Sequence, residues 1–275
     1  MIGQFLLAFR EGLEAALIVT IVLAYLERTG RKHLRNHVYH GTYLAILLSL
    51  TCGAIIWLAY GALIGPTKAL FEGVAALLAV IVLTSMIYWM ASKGRRFKAE
   101  IETRVETIAT RRANLALVSF SFIIVFREGL ETVLFLTPFL LFDTLGTFTG
   151  AFLGIMASVL LAYLVFIAGM RVNIRRFFYY TSLLLILLAG GLAGYSTHEI
   201  LEYVREVGVN TGWLGEFAFN LDISADNPLH HKGLIGSVFA VMFGYTVSAE
   251  WARIIIHAVY LSNYNVALSV LCLQS

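Results

Sequence analysis

Charge is scarce in this chain. Asp, Glu, Lys and Arg make up 13% of its 275 residues, about half the share of a soluble protein. That excludes a disordered chain and an ordinary cytosolic enzyme. Cysteine is scarcer still: Cys52 and Cys272 lie in apolar or C-terminal sequence, so no disulfide framework is expected. Proline is limited to Pro66, Pro138 and Pro228, which leaves long helices almost uninterrupted. The N-terminus has no basic start, and Arg10, Glu11 and Glu14 break its apolar run, so it does not read as a signal peptide. Basic residues fall in short loops between apolar stretches, which argues against a nucleic-acid partner.

What is abundant is apolar sequence. Hydrophobic residues reach 59% and the mean hydropathy is +0.82, the composition of an all-α polytopic membrane protein surrounded by lipid. About twenty apolar residues cross a bilayer as a helix. Seven stretches meet this: roughly 3–26, 41–63, 70–91, 114–141, 149–170, 178–198 and 233–260. The chain is expected to form one transmembrane domain over 1–275. Arg28, Arg31, Lys32 and Arg35, then Lys93, Arg95, Arg96, Lys98, Arg104, Arg111 and Arg112, then Arg171, Arg175 and Arg176 fall on one side. The other side has Lys68, Arg205 and Lys232. Positive residues stay inside, so the N-terminus is expected outside and the C-terminus inside. Residues 93–113 then form a charge-laced cytoplasmic helical link, and 199–232 an acidic outer segment suited to gathering cations.

An internal repeat carries the chemistry. Residues 9–14 and 126–131 both read Phe-Arg-Glu-Gly-Leu-Glu, in the first and fourth spans. The chain divides into repeat one (about 1–92) and repeat two (about 114–198), followed by a seventh span. Three spans per half is an odd number, so the second half enters from the opposite side. This 3+3 inverted repeat is a transporter plan with its site near the midplane. Helical spacing puts Arg10, Glu11 and Glu14 within an arc of about 100°, and likewise Arg127, Glu128 and Glu131. Charges at this depth cost several kcal/mol and mark a functional pathway by default. Each Arg could simply brace its own i+4 Glu, but that leaves the second carboxylate of each motif unexplained. Carboxylate oxygens suit hard cations such as ferric iron, magnesium, calcium and manganese. Four of them against two guanidiniums give the empty site a formal charge of about −2.

The doubled Arg-Glu-Gly-Leu-Glu resembles the oxidase-dependent high-affinity iron permease family. Phe71-Glu72-Gly73, with Met86, Trp89 and Met90 ending the same span, resembles that family's third span. Gly236-Ser237 to Phe243-Gly244-Tyr245 resembles its last. The outer loop has Asp222-Ile-Ser-Ala-Asp226 in place of the fungal acidic motif, and there is no long C-terminal tail, which favours a prokaryotic member. The resemblance implies iron import, of ferric iron foremost, across the cytoplasmic membrane. Glu11, Glu14, Glu128 and Glu131 would be the metal ligands, with Arg10 and Arg127 supporting them. Iron is then substrate, no cofactor is expected, and the chain is not expected to be an enzyme. Candidate partners are a ferroxidase or an extracytoplasmic iron-delivery protein, and a homo-oligomer is allowed. Two other readings stay open: an importer of manganese, ferrous iron or lead, and a membrane metal sensor or subunit without flux.

Secondary candidates lie towards the outer side. Glu72 could relay ions from the outer end of span three. His198, Glu199 and Glu202 could form an outer metal-collecting site at the end of span six. The second His of a zinc protease is missing there. Asp222 and Asp226 could capture arriving iron in the outer loop. Glu250 and Arg253, three apart, are expected as a structural ion pair near the inner end of the last span.

Overall fold

The computed structural model describes residues 2–93, 97–109, 113–167, 174–224, 227, 229–230 and 236–273. Helix dominates: α1 (Ile2–Arg28), α2 (Arg35–Gly61), α3 (Pro66–Lys93), α4 (Phe97–Ala109), α5 (Ala113–Phe142), α6 (Thr144–Ile167), α7 (Ile174–Glu206), α8 (Gly236–Phe243) and α9 (Trp251–Leu273). Among the described residues, four stretches are long and apolar enough to cross a bilayer: Lys32–Gly61, Pro66–Tyr88, Thr144–Val165 and Thr181–Glu206. With 27 and 30 residues, α1 and α5 also have the length, about 40–45 Å at 1.5 Å per residue. Each carries an Arg and two Glu mid-helix, and these charges keep it out of that set.

The chain forms two compact units. One combines Gly3–Leu58 with Lys93–Phe177, the other Ala59–Ser92 with Phe178–Ser275. The first unit therefore takes α1 and α2 from the front of the chain and α4, α5 and α6 from its middle. At one end of this unit Ile18, Val22, Tyr25 and Leu26 of α1 pack with Leu34, Val38 and Leu117, and with Ile101 and Val105 of α4. The linking helix is thus amphipathic. Its apolar residues at 101, 105 and 108 share one face, while Glu102 reaches Arg28 at 3.2 Å. On the connection from α1 to α2, Lys32 Nζ stands 3.0 Å from Glu27. Its hydrogen bond and charge hold the Glu27 carboxyl below the usual range.

Small residues set the crossings in this unit. A Cβ on Gly12 of α1 would lie 2.5 Å from Ser158 Oγ of α6. A Cβ on Gly129 of α5 would lie 2.7 Å from Ser49 Cβ of α2. In the other direction Gly154 of α6 lies against the α1 backbone at Phe9, and Gly41 of α2 against the α5 backbone at Phe122. Each motif helix is therefore clasped by the helix that follows the other motif, an approach that only small residues permit.

The second unit sets α3 against α7. Ser196 donates to the Gly73 carbonyl at 2.8 Å, and Gly73 leaves no room for a Cβ beside Ile200. Leu188, Ala189, Leu192 and Ala193 of α7 are buried, Gly190 and Gly194 of that helix face Leu261 and Arg253 of α9, and His257 Nδ1 is 2.8 Å from the Gly190 carbonyl. The all-α class fits, with one short addition: Phe217–Asn220 (β1) pairs antiparallel with Ser248–Glu250 (β2). One expectation needs correction: 233–260 is not one continuous helix. The α8 helix stops where Gly244 turns left-handed, φ 67°, its N–H closing on the Ala240 carbonyl at 3.0 Å, a glycine stop. Helix resumes only at Trp251.

Candidate metal centre

Both motifs lie within the first unit, midway along α1 and α5. Helical spacing puts Arg10 beside its own two carboxylates. Nη1 is 2.6 Å from Glu11 Oε1 and Nη2 is 2.6 Å from Glu14 Oε1. The second motif repeats the fork: Arg127 Nη2 is 3.3 Å from Glu128 Oε1 and Nε 3.0 Å from Glu131 Oε1. So the i+4 brace exists, and the i+1 carboxylate shares it. The fork uses one oxygen of each carboxylate. Glu11 Oε2, Glu128 Oε2 and Glu131 Oε2 are buried with no hydrogen-bond partner among the described residues.

Across the helices, Glu11, Glu128 and Glu131 each bring a carboxylate oxygen within 4.8 Å of the others. That is close enough for one ion to touch all three, at the 2.0–2.6 Å of oxygen ligation, roughly. Glu14 stands outside the three and is turned to Arg10. The motifs are identical in letters and unequal in setting. Arg10, Glu11 and Glu14 are buried, as is Glu128, whereas the Arg127 side chain is 51% exposed and that of Glu131 15%. Around the pair, Gly12 and Gly129 admit Ser158 and Ser49. Neither serine carries a sequence signal beyond being small and polar within an apolar helix.

The outer candidates fall in the second unit. Glu72, half-buried on α3, accepts from Tyr60 Oη at 2.6 Å and from Tyr195 Oη. Two phenols hold this carboxylate, and it stands outside the metal-compatible group. His198, Glu199 and Glu202 do come together, with ligand atoms within 4.8 Å. Asp222, exposed after β1, turns its backbone to φ 48° and its N–H meets Asn220 Oδ1 at 3.2 Å. Asp226 lies outside the described residues. The ion pair expected between Glu250 and Arg253 does not form among the described residues. Glu250 closes β2 and lies 2.8 Å from His198 Nδ1 and 3.5 Å from Arg205. The continuous helix expected over 233–260 did not provide for these partners, because the chain breaks at Gly244 and Glu250 ends a strand.

Comparison with known proteins finds relatives along almost the whole chain. A family model described as the iron permease FTR1 family matches residues 1–268. A ferrous iron permease EfeU of Escherichia coli O157:H7 is 35% identical over 276 residues, 98% of this chain and 96% of the relative. One of Yersinia pestis is 33% identical over 266 residues, with 95% and 90% covered. An uncharacterized protein of Archaeoglobus fulgidus is 46% identical over 262 residues, with 95% and 92% covered. No solved structure matches the chain.

Proposed function

The chain belongs to the iron permease FTR1 family, and from that premise we propose that it imports iron across the cytoplasmic membrane, with Glu11, Glu128 and Glu131 as ligands and Glu14 within reach. One observation carries this reading. Three carboxylates from two helices converge, each with an arginine behind it and an unmet oxygen in front. A buried, unmet carboxylate oxygen is costly, and a cation among the three removes that cost. The arginines fix the carboxylates and offset part of their charge, so the ion is held without being trapped.

We assign ferrous iron as the transported form. Four carboxylates against two guanidiniums leave a formal charge of −2, which a divalent ion cancels. A neutral loaded site costs least away from water. The bacterial relatives named ferrous iron permease favour the same form. The scaffold in this reading is seven spans on a 3+3 inverted repeat, N-terminus outside. Its support is the reciprocal clasp, α1 on α6 and α5 on α2. Access then alternates by motion of the halves.

Proteoliposome uptake of radio-iron tests the proposal, with iron supplied as Fe2+ under ascorbate or as ferric citrate. Wild type should accumulate the ferrous label, and folded Glu11→Gln and Glu128→Gln should lose most uptake. Preference for ferric citrate would reverse the assignment of oxidation state. Uptake untouched by both substitutions would remove the carboxylate site. Binding must displace protons from any protonated carboxylate, so apparent affinity should rise with pH and fall as the medium is acidified. Uptake measured at several external pH values checks that sign.

A further inference from the structure

The second unit holds a group that iron transport through α1 and α5 leaves unused. His198, Glu199 and Glu202 lie on α7 at spacings of one, three and four, on one face. Glu199 is buried, and Glu202 is 49% exposed at its side chain. Glu250 arrives from β2, distant in sequence, and its side chain is fully buried.

The hydrogen bond between Glu250 and His198 fixes the chemistry of the imidazole. A carboxylate can only accept, so the 2.8 Å contact puts the proton on His198 Nδ1, donating to Glu250 Oε1. On the neutral ring that a metal requires, the lone pair is then on Nε2. That atom faces Glu202 Oε2 at 3.8 Å, too far for a hydrogen bond. It is close to the roughly 3–3.5 Å between two ligands held about 2.1 Å from one ion. A neutral imidazole aimed at carboxylates, with another carboxylate behind its far nitrogen, is the arrangement that orients a metal-bound histidine. An independent sign points the same way. Glu250 Oε2 has no hydrogen-bond partner among the described residues although it is buried. Arg205, 3.5 Å from Oε1, also hydrogen-bonds the Gly215 carbonyl and leaves that second oxygen unmet. A cation on Nε2 would polarise the imidazole and strengthen its pull on the buried carboxylate.

We propose that His198 Nε2, Glu199 and Glu202 form a second cation site, with Glu250 as the positioning residue that sets the histidine tautomer. One nitrogen and two carboxylates suit borderline first-row divalent ions and disfavour magnesium and calcium. This sets the group apart from the all-oxygen centre on α1 and α5. The proposal does not depend on transport.

Cobalt(II) binding to the purified full chain in detergent tests it, in a Glu128→Gln background that weakens the other centre. Equilibrium dialysis should find one cobalt ion per chain, and X-ray absorption should show one imidazole in its shell. His198→Ala should remove the imidazole signature and weaken binding at least tenfold. Glu202→Gln, at a half-exposed position where folding is safe, should weaken binding similarly. Glu250→Gln keeps an oxygen to accept from Nδ1 and removes only the charge, and should cost about 10- to 100-fold in affinity. An imidazole signature that survives His198→Ala overturns the site, as does a folded Glu128→Gln chain that binds no cobalt. Unchanged affinity in Glu250→Gln overturns its positioning role. Loss of iron uptake in Glu128→Gln with cobalt binding intact would leave this site standing and bear on the other centre alone.

Discussion

At the scale of single residues, the two arginines of the repeated motif are the most informative contrast. Arg10 is enclosed and bridges two buried carboxylates. Removing it leaves both unpaired, so Arg10→Ala should cost about 3–5 kcal/mol of stability. Arg127 makes the same fork while half exposed, so Arg127→Ala should cost at most about 1 kcal/mol. Denaturant unfolding of the two purified variants checks the difference, and equal losses would contradict the asymmetry. The sequence puts Arg10, Glu11 and Glu14 on one helical arc, because a helix has a fixed pitch, but it offered the i+4 brace only as an alternative and did not foresee that the i+1 carboxylate shares it. It does not predict the inequality, since identical letters carry no record of which neighbours cover them. The same limit applied to Glu250. Its partner is set by a chain reversal more than fifty residues away.

At the scale of elements, helix crossings rest on glycine meeting serine. Gly129→Ala would drive a methyl into Ser49, an overpacking that should cost about 1–3 kcal/mol. Ser49→Gly in the same chain should recover most of it, and thermal melts of the single and double variants would show whether it does. The linking helix α4 looked like a solvated, charged segment in the sequence, yet Ile101 and Val105 are core residues. Their spacing of four was the available signal, and the surrounding charges masked it. Ile101→Ala should destabilise by about 2–4 kcal/mol, whereas substitution of exposed Arg104 should stay within about 0.5 kcal/mol. The break between α8 and α9 was also within reach of the sequence: a glycine at 244 followed by Thr246 and Ser248 is a poor helix interior. The long apolar count over 233–260 outweighed it.

At the scale of the whole molecule, the first unit draws helices from before residue 59 and from after residue 92, so neither stretch contains it alone. A chain divided within residues 94–96 should accumulate only when both pieces are made together, and loss of either piece when expressed singly would be seen by immunoblot of membranes. That mutual dependence has a consequence for how the protein is made. Synthesis proceeds at about 5–20 residues per second, so α1 emerges on the order of ten seconds before α5 and α6. In that interval Arg10, Glu11 and Glu14 lack the cover that α5 and α6 finally give, and each charge at the centre of an inserting helix opposes insertion by about 2.5–3.5 kcal/mol. The earliest helix must therefore wait at the translocon or the lipid interface for its later neighbours. In ribosome-stalled chains ending before α5, a cysteine placed by Leu13→Cys should react with a water-soluble maleimide, and in chains ending beyond α6, where position 13 is buried, it should not. The segment made first is then the last to reach its place.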